Sequence, residues 1–283
     1  MKDLLNLRHS ITNRTLELIS FGNLWHLYNP GDIIIHRETA GQDNSQAYQV
    51  YSVTGGRYSL KAQFSKLDPD KEASPFEWVK PNQLLLQCLY LDFDGVSIGP
   101  KEKLISISPY VGEKRIVDLD YFPKEFCRQK DSAGFIERLV NRGHMFLDFR
   151  YGYGRYEGMT ARYDPEQVYG EVFVDFKSGY EGNPHWKKHL GEFNDFQLLA
   201  ASINETYEPR CHSRSCTSCP SANFDDNSVD TARCSRFKSG PKFPGVMNEG
   251  FSHLEDNYLM LLPQHLLAYS LNTKTWSEFQ RSL

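Results

Sequence analysis

Four cysteines lie close together in one polar segment of the chain. Cys211, Cys216 and Cys219 follow one another at short spacing, and Cys234 comes after a further gap of 14 residues. A Cys-x2-Cys pair lets two thiolates from one tight turn bind a tetrahedral Zn²⁺, and His212 offers a substitute ligand. The spacing therefore predicts a structural zinc site, with a loop of free thiols as the alternative.

Two carboxylates stand two residues apart at the end of an apolar run. Residues 90–96 read YLDFDGV, so that Asp92 and Asp94 flank a single Phe. Carboxylates with this spacing at the end of a strand can reach one Mg²⁺, and one of them can attack a phosphoryl group. The segment resembles the first motif of haloacid-dehalogenase-type phosphohydrolases. A Mg²⁺-dependent phosphohydrolase that uses Asp92 and Asp94 is therefore the enzyme alternative.

The remainder of the chain departs from that phosphohydrolase pattern. About 90 residues precede the motif, and the sequence that follows it is typical of strands rather than of a helix. Asp225 and Asp226 could serve as a distal acidic pair, but they lie in a Ser- and Asn-rich loop. We therefore interpret Asp92 and Asp94 as solvated residues of a hairpin turn.

Other residues of reactive type have weaker spacing. His144 stands alone on a predicted helix, and His185 and His189 are four residues apart without a third ligand nearby. Residues 151–156 interleave Tyr with Gly and Arg, as base-stacking surfaces do. The net charge of −4 and the lack of a basic stripe nevertheless predict that the protein has no nucleic-acid partner.

The composition limits which classes of protein this chain can belong to. The 283 residues are 40% hydrophobic and 13% aromatic, which is enough to build a core. No apolar run approaches the roughly 20 residues that span a bilayer, and the N-terminus lacks the apolar core of a signal peptide. We expect no membrane association and an intracellular protein, cytoplasmic or nuclear, whose six cysteines serve as metal ligands or free thiols.

The elements that must position these residues are mostly strands. The apolar runs 84–93 and 104–108 flank the turn signal Asp94-Gly95 and predict a buried hairpin. Thr54-Gly55-Gly56 predicts a second hairpin. The strands expected from alternation and turn residues are 24–28, 33–35, 46–53, 57–64, 169–176, 258–262 and 266–271.

Helical periodicity is confined to two segments. Residues 132–147 predict a helix that Ser132 caps, with Arg142 on its polar face. Residues 4–18 fit a short helix or an extended arm. The fold class we predict is α+β and strand-dominated, either a twisted antiparallel sheet or a partly closed barrel, with one or two packed helices and a Cys-rich loop.

Seven segments in succession resemble one family. They are LWHLYNPGDIII (24–35), LYLDFDGVSIGP (89–100), ISISPYVGEKRIVDL (105–119), FIERLVNRGHMFLDF (135–149), RYEGMTA (155–161), GEVFVDFKSGYEGNPHW (170–186) and YLMLLPQHLLAYSLNTKTW (258–276). Together they are similar to the domain of unknown function that precedes the AAA+ module in a group of mostly fungal AAA family ATPases. The resemblance implies an adaptor or substrate-handling domain that works beside a nucleotide-driven machine.

The chain itself lacks the nucleotide site of such a machine. No Gly-x4-Gly-Lys-Ser/Thr segment occurs in it, so we expect it to bind no nucleotide and to catalyse no ATP hydrolysis. It would then be the N-terminal portion of a longer protein, with an AAA+ module in cis, or a stand-alone relative. The Cys-rich segment matches nothing in the family pattern.

These observations predict a non-catalytic domain that binds a protein partner or substrate. Residues 1–204 and 246–283 form a single domain in this interpretation, and residues 205–245 form a Cys-rich insertion or loop. The insertion is the expected recognition surface.

Overall fold

The computed structural model describes the greater part of the chain. The ranges are 2–36, 45–57, 59–62, 76–79, 83–127, 134–161, 165–191, 230, 232–235, 243, 245–248 and 254–280. The strands in chain order are β1 (Leu18–Ser20), β2 (Ile33–His36), β3 (Gln46–Gly55), β4 (Ser59–Ala62), β5 (Phe76–Val79), β6 (Leu84–Phe93), β7 (Ile98–Ile107), β8 (Glu113–Arg115), β9 (Tyr121–Pro123), β10 (Tyr151–Met159), β11 (Gln167–Asp175), β12 (His265–Ser270) and β13 (Thr275–Gln280). The helices are α1 (Lys2–Thr12), α2 (Leu24–Leu27), α3 (Phe135–Phe149), α4 (Phe176–Gly182) and α5 (Asp256–Leu259).

A five-stranded antiparallel sheet in the order β7-β6-β3-β2-β9 forms the first half of the fold. Its longest pairing is the predicted hairpin of β6 and β7, which runs without a break from Leu84↔Ile107 to Phe93↔Ile98. Gly95 makes the turn possible because its φ of +97° is readily adopted only by glycine. The apolar run of β6 is buried along most of its length, as a strand covered on both faces requires.

A four-stranded antiparallel sheet in the order β10-β11-β12-β13 forms the second half. The sheet curls so that its two outer strands approach each other at one end. Thr160, just after β10, forms an antiparallel bridge with Phe279 in β13. The amide of Ala161 adds a 2.8 Å hydrogen bond to the carbonyl oxygen of Glu278. The described strands nevertheless form no closed barrel, so the open, twisted antiparallel arrangement is the one that the chain adopts.

The core is continuous through both sheets and the helices. Phe93 of β6, Phe146 of α3 and Phe176 of α4 meet edge to face, with ring centroids 5.1–6.3 Å apart. The pairs β1–β8 and β4–β5 make two further small sheets. None of the helices within the described ranges has the length and apolar character needed to cross a membrane.

Two predicted strands are helices in the structure. Residues 24–27 form α2, with Leu24, Trp25 and Leu27 all buried, and residues 256–259 form α5. Short apolar runs have no period that separates a buried strand from a buried helical turn, so tertiary packing decides between them.

The predicted hairpin between residues 46–53 and 57–64 is wrong in its pairing. Strands form at β3 and β4, but β3 pairs with β2 and β6, while β4 pairs with β5. Gly55 and Gly56 both have positive φ, and the chain turns away from β3 at this point. The long apolar strand β6 takes the edge of β3 that a local hairpin would have used.

Helix α3 is confirmed, but its polar face is not as predicted. Arg142 is only 2% exposed. Its guanidinium donates to the carbonyl oxygen of Ser45, to Gln46 Oε1 at 3.2 Å and to the carbonyl oxygen of Met260 at 3.3 Å. Arg142 therefore ties α3 to β3 and α5 rather than facing solvent. The predicted cap Ser132 lies outside the described residues.

Candidate functional site

A polar cavity lies between the five-stranded and the four-stranded sheets. Its volume is about 180 Å³, below the roughly 300–1,000 Å³ of pockets that hold drug-sized molecules. Its walls include Tyr48, Tyr90, Asp92, Lys188, His265 and Glu278, and we call it the inter-sheet pocket. The size fits a single side chain or a small amine.

Asp92 supplies a buried carboxylate to this pocket and is 6% exposed. Its Oδ1 accepts a 2.9 Å hydrogen bond from the Phe93 amide, whereas Oδ2 lies 3.7 Å from Lys101 Nζ, beyond hydrogen-bond distance. Burial raises the pKa of the Asp92 carboxyl, and the Phe93 amide, Lys188 and Lys101 offset that effect only in part. The negative charge of Asp92 is therefore incompletely compensated.

The prediction that Asp92 is solvated is wrong. Asp92 lies within β6, which ends one residue later at Phe93. The residue that pairs with Asp92 on β7 is Gly99, which has no side chain to pack beside the carboxylate. The second sheet then covers this position, because Glu278 and Leu267 line the same pocket. Burial of Asp92 is thus decided by how the two sheets pack.

Tyrosine rings form much of the pocket wall. Tyr48 on β3 and Tyr90 on β6 contact edge to face, with centroids 5.9 Å apart. Burial raises the pKa of Tyr48 to about 12 and also raises the pKa of Tyr90, so both hydroxyls stay protonated. Tyr180 on α4 donates a 3.2 Å hydrogen bond to the carbonyl oxygen of Phe93. Neutral rings of this kind attract a cation to their faces.

An ion pair lies at the edge of the pocket. Lys188 Nζ is 3.1 Å from Glu278 Oε1, and both side chains are about one third exposed. Lys103 also lines the pocket but is exposed to solvent. The lysine nearest to Glu278 is thus already paired, while Asp92 has no charged partner within hydrogen-bond distance among the described residues.

Two buried polar atoms beside the pocket have no partner within the described part of the chain. They are Gln264 Oε1 and His265 Nδ1. Gln264 Nε2 lies 3.4 Å from His265 Nε2, and because an amide nitrogen only donates, this contact places the ring proton on Nδ1. His265 Nδ1–H is then an unpaired donor, and Gln264 Oε1 is an unpaired acceptor. Burial lowers the pKa of His265, so the ring is neutral near pH 7. Unpaired buried groups are costly, and a bound ligand would satisfy them.

Helix α4 brings Tyr180 to the pocket through two local devices. Asp175 caps the helix, because its Oδ1 accepts from the Ser178 amide at 3.0 Å. Gly179 lets the helix lie directly on the four-stranded sheet, since a Cβ there would stand 2.6 Å from Leu267 Cδ2 and 3.1 Å from the Trp276 ring. The position of Tyr180 therefore depends on a glycine at position 179.

Asp94 does not reach the inter-sheet pocket. Its Oδ1 accepts hydrogen bonds from the amides of Val96 at 3.0 Å and Ser97 at 2.7 Å, so its carboxylate stabilises the turn. Among the described residues, no group of three His, Cys, Asp or Glu side chains is placed to hold a metal ion. The structure therefore does not bring Asp92 and Asp94 together at one site.

Of the predicted zinc ligands, only Cys234 can be placed. It is fully buried, and its side chain hydrogen-bonds with Tyr51. Cys211, His212, Cys216 and Cys219 lie outside the described residues, as do Asp225 and Asp226. The zinc site and the boundaries of the proposed insertion at 205–245 stay predictions.

The remaining candidates of the sequence lie apart from the pocket. His144, His185 and His189 are exposed. Within residues 151–156, Tyr151 and Tyr153 are exposed, whereas Tyr156 packs against Phe279 with centroids 4.8 Å apart. An apolar cavity of about 390 Å³ lies beside Tyr156 and Gly154 on the inner face of the curled sheet.

Sequence reasoning missed most residues of the pocket. Tyr48, Tyr180, Lys188, His265 and Glu278 carry no motif, and 230 residues separate the first from the last. The terminal hairpin offered the nearest signal, because His265 directly precedes the apolar residues 266–268 and Glu278 directly precedes Phe279. A polar residue at such a position indicates either solvent or a buried polar site.

The fold and the pocket define a strand-dominated α+β domain with a small polar cavity between its two sheets. Residues 9–128 match a family described as a domain of unknown function (DUF7025). That match includes all five strands of the first sheet, together with Tyr48, Tyr90 and Asp92. The chain therefore contains a DUF7025 domain, and the four-stranded sheet lies beyond it. No curated protein and no solved structure matches the chain.

Proposed function

We propose that this chain is a non-catalytic binding domain that takes a basic side chain of a partner protein into the inter-sheet pocket. The resemblance to domains that precede AAA+ modules supports a role as an adaptor or substrate-handling part of such a machine. In that setting the partner would be passed to an ATPase module in cis.

The observation that carries the proposal is the environment of Asp92. A carboxylate that is 6% exposed loses most of its hydration, and the nearest ammonium stands 3.7 Å away. An ammonium or guanidinium group in the cavity would provide the missing charge and hydrogen bonds. The neutral rings of Tyr48 and Tyr90 would contact the same cation, as aromatic cages do.

The unpaired atoms beside the pocket favour a side chain attached to a peptide over a free metal ion. With the ring proton on Nδ1, as the contact between Gln264 Nε2 and His265 Nε2 requires, Gln264 Oε1 needs a donor and His265 Nδ1–H needs an acceptor. A basic side chain provides the donor, and the backbone carbonyl group next to it provides the acceptor. A lone metal ion could bind Gln264 Oε1 but could not accept the hydrogen bond from His265 Nδ1–H.

The direct test is titration with blocked amino acids. Nα-acetyl-arginine methylamide and Nα-acetyl-lysine methylamide are expected to bind with dissociation constants of about 1 mM, a reasonable value for so few atoms. The glutamate and norleucine derivatives are the controls for charge and size. Chemical-shift changes at Tyr48, Tyr90 and Tyr180 would locate the site.

The matched variants are Asp92→Asn and Asp118→Asn. Asp92→Asn keeps the shape of the side chain and removes its charge, so the affinity for the basic derivatives should fall at least about tenfold. Asp118 is exposed and far from the pocket in sequence, and its substitution should change nothing. Equal binding of the glutamate derivative, or unchanged binding by Asp92→Asn, would refute the proposal.

A Mg²⁺-dependent phosphohydrolase is the second candidate, favoured by the lysines at positions 101, 103 and 188 near Asp92. The use of the Asp94 carboxylate within its own turn supports the binding role instead. One assay distinguishes the phosphohydrolase from the binding domain. Mg²⁺-dependent release of phosphate from an aryl phosphate, lost in both Asp92→Asn and Asp94→Asn, would replace the binding proposal.

The free thiols support a reducing compartment. Among the described residues, Cys88 and Cys127 form no disulfide, as is usual for thiols in the cytoplasm or nucleus. We place the protein there and retain structural zinc at the Cys-rich segment as part of the proposal. Neither nucleic acid nor membrane is among the partners that we propose.

A further inference from the structure

Strand β10 differs from both edges of the five-stranded sheet. In natural proteins, lysines, prolines, bulges or short length protect edge strands from pairing with another chain. Strand β7 carries Pro100, Lys101 and Lys103, and β9 has only three residues, one of which is Pro123. Strand β10 has nine residues without Pro, Lys or a register shift. It is therefore an edge that is open to pairing.

The backbone geometry identifies which groups of β10 point outward. Thr160 donates to Glu166 on the β11 side, at 2.9 Å, whereas Ala161 donates to Glu278 on the opposite side. Successive residues of an antiparallel strand alternate between its two sides. Because the β10–β11 register is regular, the even-numbered residues bond to β11 and the odd-numbered ones face away.

Four residues therefore point their amide and carbonyl groups away from β11 along this edge: Tyr151, Tyr153, Arg155 and Glu157. No described residue hydrogen-bonds to their backbone, and neither charge belongs to an ion pair within the described chain. Tyr151 and Tyr153 are 68% and 76% exposed. The β10 edge, as we name these four residues, combines open backbone with large exposed rings.

We infer that the β10 edge pairs with the β10 edge of a second copy of this chain, antiparallel and two-fold symmetric about Gly154. In this register Tyr153 lies opposite Arg155 of the other copy, and Tyr151 lies opposite its Glu157. All four outward residues on each side find hydrogen-bonding partners.

Charge complementarity favours a second copy of this chain as the partner, and it favours the register about Gly154. Each Arg155 meets the ring of Tyr153 in the other copy, which is a cation–π contact, and each Glu157 meets the hydroxyl end of Tyr151. A register centred on Arg155 would place two guanidinium groups opposite each other. At the centre, Gly154 brings no side chain to the pair of strands.

The paired surface is small, so the dimer is expected to be weak. Seven residues from each side bury less than the roughly 1,600 Å² of a standard interface. Pairing would also cover the apolar cavity of about 390 Å³ beside Gly154 and Tyr156. We expect the full chain to be a monomer of 32.7 kDa at low concentration and to dimerise at high micromolar concentration.

The decisive experiment is sedimentation velocity of the full chain over a concentration series to about 500 µM, for wild type and three variants. Arg155→Pro removes an outward N–H without breaking the β10–β11 ladder. Tyr153→Lys places a second cation opposite Arg155. Both should weaken association at least about tenfold. Tyr169→Lys changes an exposed ring on the inner strand β11 and should dimerise like wild type.

Hydrogen exchange adds a readout that a general loss of folding would not give. The amides of residues 151, 153, 155 and 157 should gain protection only at high concentration, while those of 152, 154, 156 and 158 are protected throughout. A monomer at 500 µM, a dimer unaffected by Tyr153→Lys, or protection without this alternation would overturn the inference. Binding of single-stranded oligonucleotides by a monomer, lost in Tyr153→Lys, would overturn it too.

Discussion

The indole nitrogen of Trp25 donates a 2.9 Å hydrogen bond to the carboxylate of Asp230, which lies 205 residues further along the chain. The guanidinium groups of Arg57 and Arg233 stack on the Trp25 ring at 4.3 and 4.0 Å. Arg57 also binds Asp230 Oδ2 at 2.8 Å, and Arg233 donates to the carbonyl oxygen of Tyr28. One cluster thus attaches the described end of the Cys-rich segment to α2.

Removal of the Asp230 charge should destabilise the fold. Asp230→Asn removes the carboxylate that pairs with Arg57 and whose charge also favours the Arg233 guanidinium, and loss of one partner of a buried ion pair costs about 3 kcal/mol. Chemical denaturation should show this loss in the free energy of unfolding. Asp118→Asn, at an exposed ion pair, should change it by less than about 0.5 kcal/mol. Equal effects of the two changes would contradict the cluster.

Gly143→Ala should destabilise the protein, although helices usually tolerate this substitution. Gly→Ala within a helix normally gains about 1 kcal/mol, but a Cβ at Gly143 overlaps the carbonyl group of Leu259 on α5. We expect Gly143→Ala to lose about 2 kcal/mol because α3 and α5 must separate. Asn141→Ala, exposed on the same helix, should be neutral or stabilising. Thermal unfolding of the two variants decides the matter, and a stabilised Gly143→Ala would disprove the close approach.

Arg142 should be essential to the fold in spite of its charge. Arg142→Met fills a similar volume but leaves the carbonyl oxygens of Ser45 and Met260 without this donor, which costs about 3 kcal/mol. Arg138→Met, on the exposed side of α3, should cost less than about 1 kcal/mol. Urea denaturation of both variants provides the comparison. A small effect at position 142 would mean that the buried guanidinium is dispensable.

His26 should make the fold sensitive to acid. Its burial, with Arg8, Arg233 and Arg57 nearby, lowers the pKa of His26 to about 4. The unfolded state takes up this proton near pH 6.5, so between pH 6.5 and 4 it binds more protons than the folded state does. The free energy of unfolding must therefore fall as the pH falls through that window.

His26→Gln tests this dependence because it keeps a polar side chain without the titration. The variant should lose less stability than wild type between pH 6.5 and 4, as measured by thermal unfolding at matched ionic strength. His144→Gln removes an exposed histidine and serves as the control. An unchanged pH slope in His26→Gln would show that other groups cause the acid sensitivity.

Metal analysis should find one zinc per chain if the Cys-rich segment is a zinc site. Cys216→Ser or Cys219→Ser should abolish the bound zinc, because each removes one of four ligands. Cys127→Ser, at a free thiol elsewhere in the fold, should retain it. Metal-free protein with reactive thiols at 211, 216 and 219 would identify the segment as a loop without metal.

The sequence alone determined the elements whose signals are local. Asp94-Gly95 between two apolar runs specified the β6–β7 hairpin, because only a few residues adopt the turn conformation without strain. The 3.6-residue period of α3 located that helix to within a few residues. The alternation before Asp175 located β11 in the same way.

Non-local packing decided what those signals could not. Residues 24–27 form a helix whose Trp25 donates a hydrogen bond to the distant Asp230. Arg142 is buried where carbonyl groups from distant elements accept its hydrogen bonds. Strand β3 gained β6 as its neighbour instead of β4, since a long apolar strand offers more burial than a short local one.

The candidate site belongs to the tertiary structure. Asp92 was visible in the sequence as a carboxylate, but its burial and the arrival of His265 and Glu278 beside it depend on the packing of one sheet on another. The sequence determined the strands, the central turn, the long helix and the acidic residue at the end of β6. The structure alone decided which charges lost their solvent, because burial is a property of the neighbours that surround a residue in space.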